Sequence, residues 1–241
     1  MIPPVNVTAL IPAAGRGIRM GHQLPKQFLP LGAYPLIVHT LRTIQAIPAI
    51  REVIVVVPAG AEREWRETIV DSYGLTKVAH VLTGGPTRQD SVSQGLANVS
   101  PGTDIVVIHD GVRPFATPKM FEHCIQAATE VDGAIVAMKV QDTTKRVSED
   151  GMIRETIDRK GLWTAQTPQA FRYDVLVNAL DHARTNHIQM TDEAALVERL
   201  GYKVKVHEGS SDNMKITTPQ DLAFAESFLH WRETKQTAVT P

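Results

Sequence analysis

The sequence predicts an α/β protein built on a doubly wound, mostly parallel sheet, with one β-hairpin arm protruding from it. Three observations carry that prediction. Apolar, β-branched runs alternate with helix-like stretches from the start of the chain to about residue 232. The runs are apolar throughout rather than at every second position, which suits strands buried on both faces. A stretch of small residues and glycines follows the first run, where a sheet of this kind places its ligand-binding loops.

The first strand is expected over Val7–Ile11. A helix signal over Pro35–Ile47 precedes a strand at Val53–Val57, then a helix at Ala61–Tyr73 and a short strand at Val78–Leu82. Ser91–Ala97 reads as a helix, Ile105–Ile108 as a strand, Pro118–Glu130 as a helix and Ala134–Val140 as a strand. From Gln141 to Gly161 the alternation breaks. An Asp150-Gly151 turn signal between Lys145-Arg146-Val147 and Met152-Ile153-Arg154 predicts a hairpin that is polar on both faces. A lone two-stranded hairpin is marginally stable in water, so this arm is expected to lean on a partner, most economically a second copy of the chain. Helices at Tyr173–Arg184 and Thr191–Leu200 and a short strand at Val204–Val206 follow. Thr218-Pro219-Gln220-Asp221 sets proline and acid at the start of a last helix, Leu222–Trp231. The expected organisation is a single domain over 1–232, with the arm at 141–161 and a flexible polar tail at 233–241.

Composition narrows the function classes. A net charge of −1 over 241 residues gives no general attraction to nucleic acid or to a membrane, so any phosphate binding must come from locally placed cations. No apolar run approaches the ~20 residues a membrane helix needs. The N-terminus lacks a charged start followed by an apolar stretch, and the cytoplasm is the expected compartment. The single cysteine, Cys124, reads as a core residue rather than a nucleophile. None of the nine histidines shows a metal-ligand spacing, and no G-x-S-x-G elbow occurs.

The chemistry concentrates in a few loops. Leu10-Ile-Pro-Ala-Ala-Gly-Arg-Gly-Ile-Arg-Met-Gly combines small residues, which let backbone amides approach a ligand, with Arg19 and then Lys26 close behind. Amides plus two cations at a strand's carboxyl end suit a polyphosphate. The spacing Gly15-x-Gly17-x-x-x-Gly21 and the break at Pro25 reject the dinucleotide fingerprint, and the absence of Gly-Lys-Ser/Thr rejects the nucleoside-triphosphatase loop. Asp110, just past a buried strand, is placed to hold Mg²⁺ together with phosphate oxygens and water, or else to cap the next turn. Asp212 and Lys215, three apart before the last helix, are a second charged pair or a surface salt bridge. Gly84 and Gly85 permit close approach to a flat ligand beside the hydroxyl of Ser91; the plainer role for this loop is a helix start capped by Ser91 or Asp90.

In order, these motifs resemble the 2-C-methyl-D-erythritol 4-phosphate cytidylyltransferases of the non-mevalonate isoprenoid pathway. The resemblance spans about 6–232. It rests on Pro-Ala-Ala-Gly-x-Gly-x-Arg-Met (12–20), Pro-Lys-Gln (25–27), Arg-x-x-Ser-Val (88–92), His-Asp-x-x-Arg-Pro (109–114) and Asp-Thr-x-Lys-Arg (142–146). Asp-Arg-x-x-Leu-Trp (158–163), Gln-Thr-Pro-Gln-x-Phe (166–171), Thr-Asp-Glu-Ala (191–194) and Asp-Asn-x-Lys-Ile-Thr (212–217) complete it. It implies a nucleotidyltransferase fold and Mg²⁺-dependent transfer of CMP from CTP to methylerythritol phosphate, with release of pyrophosphate. By that resemblance Pro12, Ala13, Ala14, Gly15 and Gly17 hold the nucleotide, while Ala14, Gly85 and Ser91 address cytosine. Arg19 and Lys26 would grip the β- and γ-phosphates and, with Lys215, serve catalysis; Asp110 would position Mg²⁺. Arg113, Thr191 and Asp212 would line the junction of the two substrates. Thr143, Arg159 and Thr167 would bind the acceptor, some of them from the arm of a partner in a homodimer.

Two departures stand out. Pro86 has no N–H to offer a base, where many relatives have one. Gly111-Val112 replaces the common Ala-Ala and leans towards the ribitol-5-phosphate cytidylyltransferases, a sister family. A non-catalytic nucleotide-binding module and a NAD-dependent dehydrogenase are rival readings. The full set Arg19, Lys26, Asp110 and Lys215 argues against the first, and Pro25 against the second.

Overall fold

A computed structural model describes residues 5–15 and 25–239, with side chains to residue 235. In chain order the elements begin with β1 (Val7–Pro12), a 3-10 turn (Lys26–Phe28), the short strands β2 (Pro30–Leu31) and β3 (Tyr34–Pro35), α1 (Leu36–Gln45) and β4 (Ile50–Val57). Next come α2 (Glu62–Trp65), which runs into a π-helical turn (Arg66–Asp71), β5 (Val78–Thr83), α3 (Arg88–Leu96), β6 (Ile105–Ile108), α4 (Pro118–Glu130) and β7 (Gly133–Lys139). The chain finishes with β8 (Thr144–Val147), β9 (Ile153–Ile157), β10 (Trp163–Arg172), α5 (Tyr173–Thr185), α6 (Glu193–Arg199), β11 (Val204–Glu208) and α7 (Pro219–Val239).

Seven strands form one sheet in the order β11-β7-β10-β6-β1-β4-β5. All its strands run in the same direction except β10, which is antiparallel to both β6 and β7. The chain first builds β1, β4 and β5 to one side and then places β6 on the other side of β1. The loops leaving β1 and β6 therefore diverge, and a ligand crevice opens at their carboxyl ends. Successive residues of each strand serve opposite layers. Ala9 and Ile11 pack under α1 and α4, whereas Leu10, Ile54, Val106 and Ile108 pack under α3, α5 and α6. A third cluster, Leu31, Leu36, Val112, Phe115, Ile216 and Ala225, seats α7 and the segment before it against the loop after β6. Cys124 is a buried core residue whose thiol is pushed up to about 12 by burial. Among the described residues no helix is long and apolar enough to cross a membrane.

The structure departs from the sequence reading in four places. β10 was not expected: the sequence reading places no element between Gly161 and Tyr173. Yet Gln166 to Phe171 are buried at the centre of the sheet, and the pairing with β7 is irregular between Ala165 and Gln169. The expected helix over Ala61–Tyr73 is a single α-turn followed by π-helix. The last helix starts earlier than Leu222 and continues through 233–239, where a tail was expected. The arm is a hairpin on the predicted Asp150-Gly151 turn, but not polar all round: Val147, Met152 and Ile153 lie exposed at its tip.

Candidate functional site

The loop after β1 is held from both sides. Ala13 N–H donates to Val56 O at 2.7 Å, prolonging the strand pairing by one residue. Buried Gln27 then donates its side-chain amide to Ala13 O (2.7 Å) and Gly15 O (3.0 Å), so the Pro-Lys-Gln turn fixes the loop's carbonyls. Pro12, Ala14, Gly15 and Lys26 line one side of a cavity of about 180 Å³, and Gly85 and Ser91 line another. Ala13 lies buried among them. Gly17 and Arg19 fall outside the described residues.

Gly84 and Gly85 bring two loops together. A Cβ on Gly84 would lie 2.4 Å from Ala14 Cβ, and one on Gly85 would lie 2.3 Å from Asp90 Cβ. The close approach that required glycine is thus made by the protein's own loop and helix. The cap of α3 is Thr87, not Ser91 or Asp90: its hydroxyl accepts from Asp90 N–H, and Asp90 accepts back from Thr87 N–H. Ser91 Oγ accepts from Gly85 N–H and donates to Thr87 O, which makes it the brace of the loop.

Asp110 is the hub. Lys215 Nζ lies 2.8 Å from its Oδ2, Arg113 Nε 3.5 Å from the same oxygen, and Arg88 Nε 3.5 Å from Oδ1. Burial raises the pKa of this carboxyl, but Lys215, Arg88 and Arg113 outweigh burial and hold it well below the usual carboxylate range. Its side chain therefore faces cations and does not cap a turn. Lys215 pairs with Asp110 rather than with Asp212, which is exposed three residues earlier.

A closed ring of buried hydrogen bonds fixes this hub. Asp110 N–H donates to Thr167 Oγ1 (3.0 Å), which lies 3.0 Å from His109 Nδ1, and His109 Nε2 reaches Arg113 O at 3.3 Å. One assignment satisfies all three contacts: Thr167 donates to Nδ1, and a neutral imidazole donates from Nε2. Burial pushes His109 down to about 4, consistent with the neutral ring. Arg113 Nη1 then donates to Asn213 O (2.6 Å), and Asn213 Nδ2 donates to Thr167 O (2.9 Å) and Gln166 Oε1 (3.1 Å). The irregular stretch of β10 thus ties the loop after β6 to the segment that carries Lys215.

A second cavity, about 210 Å³, opens on the other side of the hub, lined by Arg113, Gln166, Thr167, Thr191 and Asp192. Arg88, Asp110 and Lys215 border both cavities. Glu193, fully buried, anchors Arg88: both its oxygens lie 2.7 Å from Arg88 Nη1. Thr143 and Arg159 stand exposed at the base of the arm and line neither cavity. Arg159 donates to Gln141 O and borders a separate hollow with Gln141, Glu208 and Ser210. The sequence reading missed Gln27, Arg88, His109, Glu193 and Asn213 as site residues. Each is a polar side chain inside a motif, and of the five only His109 directly follows a segment that reads as a regular element, the strand Ile105–Ile108.

Among the described residues no three His, Cys, Asp or Glu side chains come together as a metal cage. Asp110 is a single hard carboxylate bordering both cavities, its oxygens already facing Lys215, Arg113 and Arg88, so it could serve as one metal ligand and no more. That donor set fits Mg²⁺, which is commonly held by one or two carboxylates with substrate phosphates supplying further ligands.

The family model for 2-C-methyl-D-erythritol 4-phosphate cytidylyltransferase (IspD) matches residues 7–231. The chain is 45% identical over 228 residues to the enzyme of that name from Pelotomaculum thermopropionicum, covering 95% of this chain and 96% of the relative. It is 46% identical over 228 residues to the enzyme from Syntrophus aciditrophicus, covering 95% and 97%. Among solved structures, 4-diphosphocytidyl-2C-methyl-D-erythritol synthase from Anaerococcus prevotii superposes with a TM-score of 0.82 at 30% identity, covering 94% of this chain and 99% of that one. 2-C-methyl-D-erythritol 4-phosphate cytidylyltransferase from Thermus thermophilus superposes at 0.77 with 34% identity, covering 92% and 98%.

Proposed function

The chain belongs to the 2-C-methyl-D-erythritol 4-phosphate cytidylyltransferase family, and from that membership we propose that it transfers CMP from CTP to 2-C-methyl-D-erythritol 4-phosphate, releasing pyrophosphate, in isoprenoid precursor synthesis. The observation that carries this reading is the wall of Arg88, Asp110 and Lys215 shared by two cavities. A cationic partition between two pockets suits the meeting of two anions.

The acceptor's nucleophile is a phosphate monoester, largely dianionic near neutral pH because its second pKa is ~6. It needs no general base, in keeping with His109 being buried and committed to its own ring. One acceptor oxygen bonds to the α-phosphorus of CTP, the bond from that phosphorus to the bridging oxygen breaks, and pyrophosphate leaves. In this reading Pro12 to Gly17 cradle the triphosphate, with Ala14, Gly85 and Ser91 near the base. Arg19, Lys26 and Lys215 neutralise charge as the α-phosphorus becomes five-coordinate. Asp110 would hold Mg²⁺, which when bound supplies further neutralisation of the phosphate oxygens. Arg113, Thr167 and Thr191 serve the acceptor side, to which the family resemblance also assigns Asp212, exposed and lining neither cavity. Thr143 and Arg159, away from both cavities in one chain, fit a homodimer in which an arm reaches its neighbour's site; the exposed Val147, Met152 and Ile153 at its tip support a contact there. The cytoplasm, no nucleic acid and no membrane complete the reading.

Gly111 does not require the sister acceptor. A Cβ there would lie 2.5 Å from Ile37 Cδ1, so the departure has a packing cause within the chain. The test is pyrophosphate release with CTP and Mg²⁺, comparing methylerythritol 4-phosphate with ribitol 5-phosphate. Turnover with the first is expected. Turnover with ribitol 5-phosphate alone would move the acceptor, and silence with both in protein that binds CTP would leave a binding module.

A further inference from the structure

We propose that Arg88 acts at the junction of the two substrates and that Glu193 is the positioning residue that keeps it there. This inference rests on the functional reading above. Arg88 borders both cavities, and its side chain is 30% exposed, while that of Glu193 is 1% exposed. Both Glu193 oxygens engage the same nitrogen, Nη1, while Nε faces Asp110 Oδ1 at 3.5 Å. One corner of the guanidinium is therefore committed, and the remainder is held in the wall between the cavities.

Helix packing does not account for this pair. Arg88 opens α3, where the helix dipole disfavours a cation. Burying a carboxylate is costly: burial raises Glu193 above its ordinary value even with Arg88 against it, and apolar residues join two helices at least as well. The start of α6 is also fixed without Glu193. Asp192 accepts from Ala195 N–H as its cap and from Gln169 Nε2 (2.9 Å), which ties it to β10. What Glu193 uniquely fixes is the direction of a forked cation, and a fork can address an oxygen on either side of a partition where a lysine offers one point charge. Glu193 follows Thr191 and Asp192, which line the acceptor side, so the same carboxylate links that side to Asp110.

The test compares Glu193→Gln, Arg88→Lys and the double variant in steady-state turnover, with CTP binding by calorimetry and thermal unfolding alongside. Glu193→Gln should lower kcat roughly 10- to 100-fold with KM for each substrate within about threefold, since the loss falls where the anions meet. The double variant should be no worse than the more affected single one, because both act through one guanidinium. A folded Glu193→Gln enzyme with wild-type kcat, or losses that multiply, would overturn the proposal. If Glu193→Gln does not fold, Arg88→Lys decides: reduced kcat in folded protein supports the proposal and wild-type kcat overturns it. A wild-type enzyme that forms no product would overturn the functional reading and this inference together, whereas wild-type turnover with unaffected variants overturns the inference alone.

Discussion

Replacing Lys215 by methionine removes one charge and keeps most of the stem, and the structure assigns very different magnitudes to its two consequences. The Lys215–Asp110 pair is short, 2.8 Å, but the lysine side chain is 39% exposed, and Asp110 keeps Arg88 and Arg113 as partners. A partly solvated pair with such backup contributes about 1 kcal/mol or less to stability. For a chain of this length that lowers Tm by about 2–4 °C. Turnover should suffer far more. A preorganised group facing developing charge is worth ~10²–10³ in kcat, about 2.7–4 kcal/mol. The assay is initial-rate pyrophosphate release at saturating CTP and methylerythritol phosphate, with unfolding monitored on the same preparations; Lys26→Met serves as companion. Near-normal kcat in both folded variants would refute the reasoning. A kcat loss that merely followed the unfolded fraction would refute it equally, because the lysine would then be structural.

Two further outcomes follow from the core around the hub. His109 is held at about 4 in the fold against about 6.5 unfolded, so the unfolded chain takes up the proton first. Its contribution of about 3 kcal/mol is complete above pH 6.5 and is lost as pH falls from 6.5 towards 4. His39 and His207, also held low by burial, add in the same direction. Glu193, raised by burial, opposes them because the fold takes up its proton first, while Asp110, held low, loses its own contribution only below about pH 4. Denaturant titrations across that range should show His109→Asn less stable at pH 7 yet with a shallower decline; an unchanged slope would reject the buried neutral imidazole. Gly111→Ala should cost about 1–2 kcal/mol through contact with Ile37 Cδ1, and Ile37→Val should restore most of it, as read by paired thermal melts. No interaction between the two substitutions would reject that packing account of Gly111.

The parallel framework was legible because β1, β4, β6 and β7 are continuous apolar runs, buried on both faces as such runs predict. β10 was not, and the reason is functional. Its central residues are the polar Gln166, Thr167 and Gln169, which periodicity assigns to solvent, yet each is buried and hydrogen-bonded within the site. The same logic separates the site residues. Asp110 and Lys215 could be singled out because a charge next to a strand end or a helix start is conspicuous. Gln27, His109 and Asn213 act by holding backbone in place, and nothing in their identity announces which carbonyl they reach. The Gly84-Gly85 pair shows the converse: in the sequence its glycines suggest room for a ligand, whereas the contacts they permit are with Ala14 and Asp90.

Charge links the fold to the chemistry of the site. The whole chain carries −1, so no long-range field steers anions towards it. The junction is different: Arg88, Arg113 and Lys215 face Asp110 and Glu193, and burial pushes Glu193 towards its neutral form, so positive charge is in excess in a mostly buried place. The carboxylates allow those cations to remain charged and fixed when no substrate is present, and they set the direction in which each one points. An incoming phosphate then meets donors already oriented, and little reorganisation is left for the moment of reaction. That division of labour explains why Glu193 and Asp110 lie in a site whose substrates are anions: they are there to hold the cations.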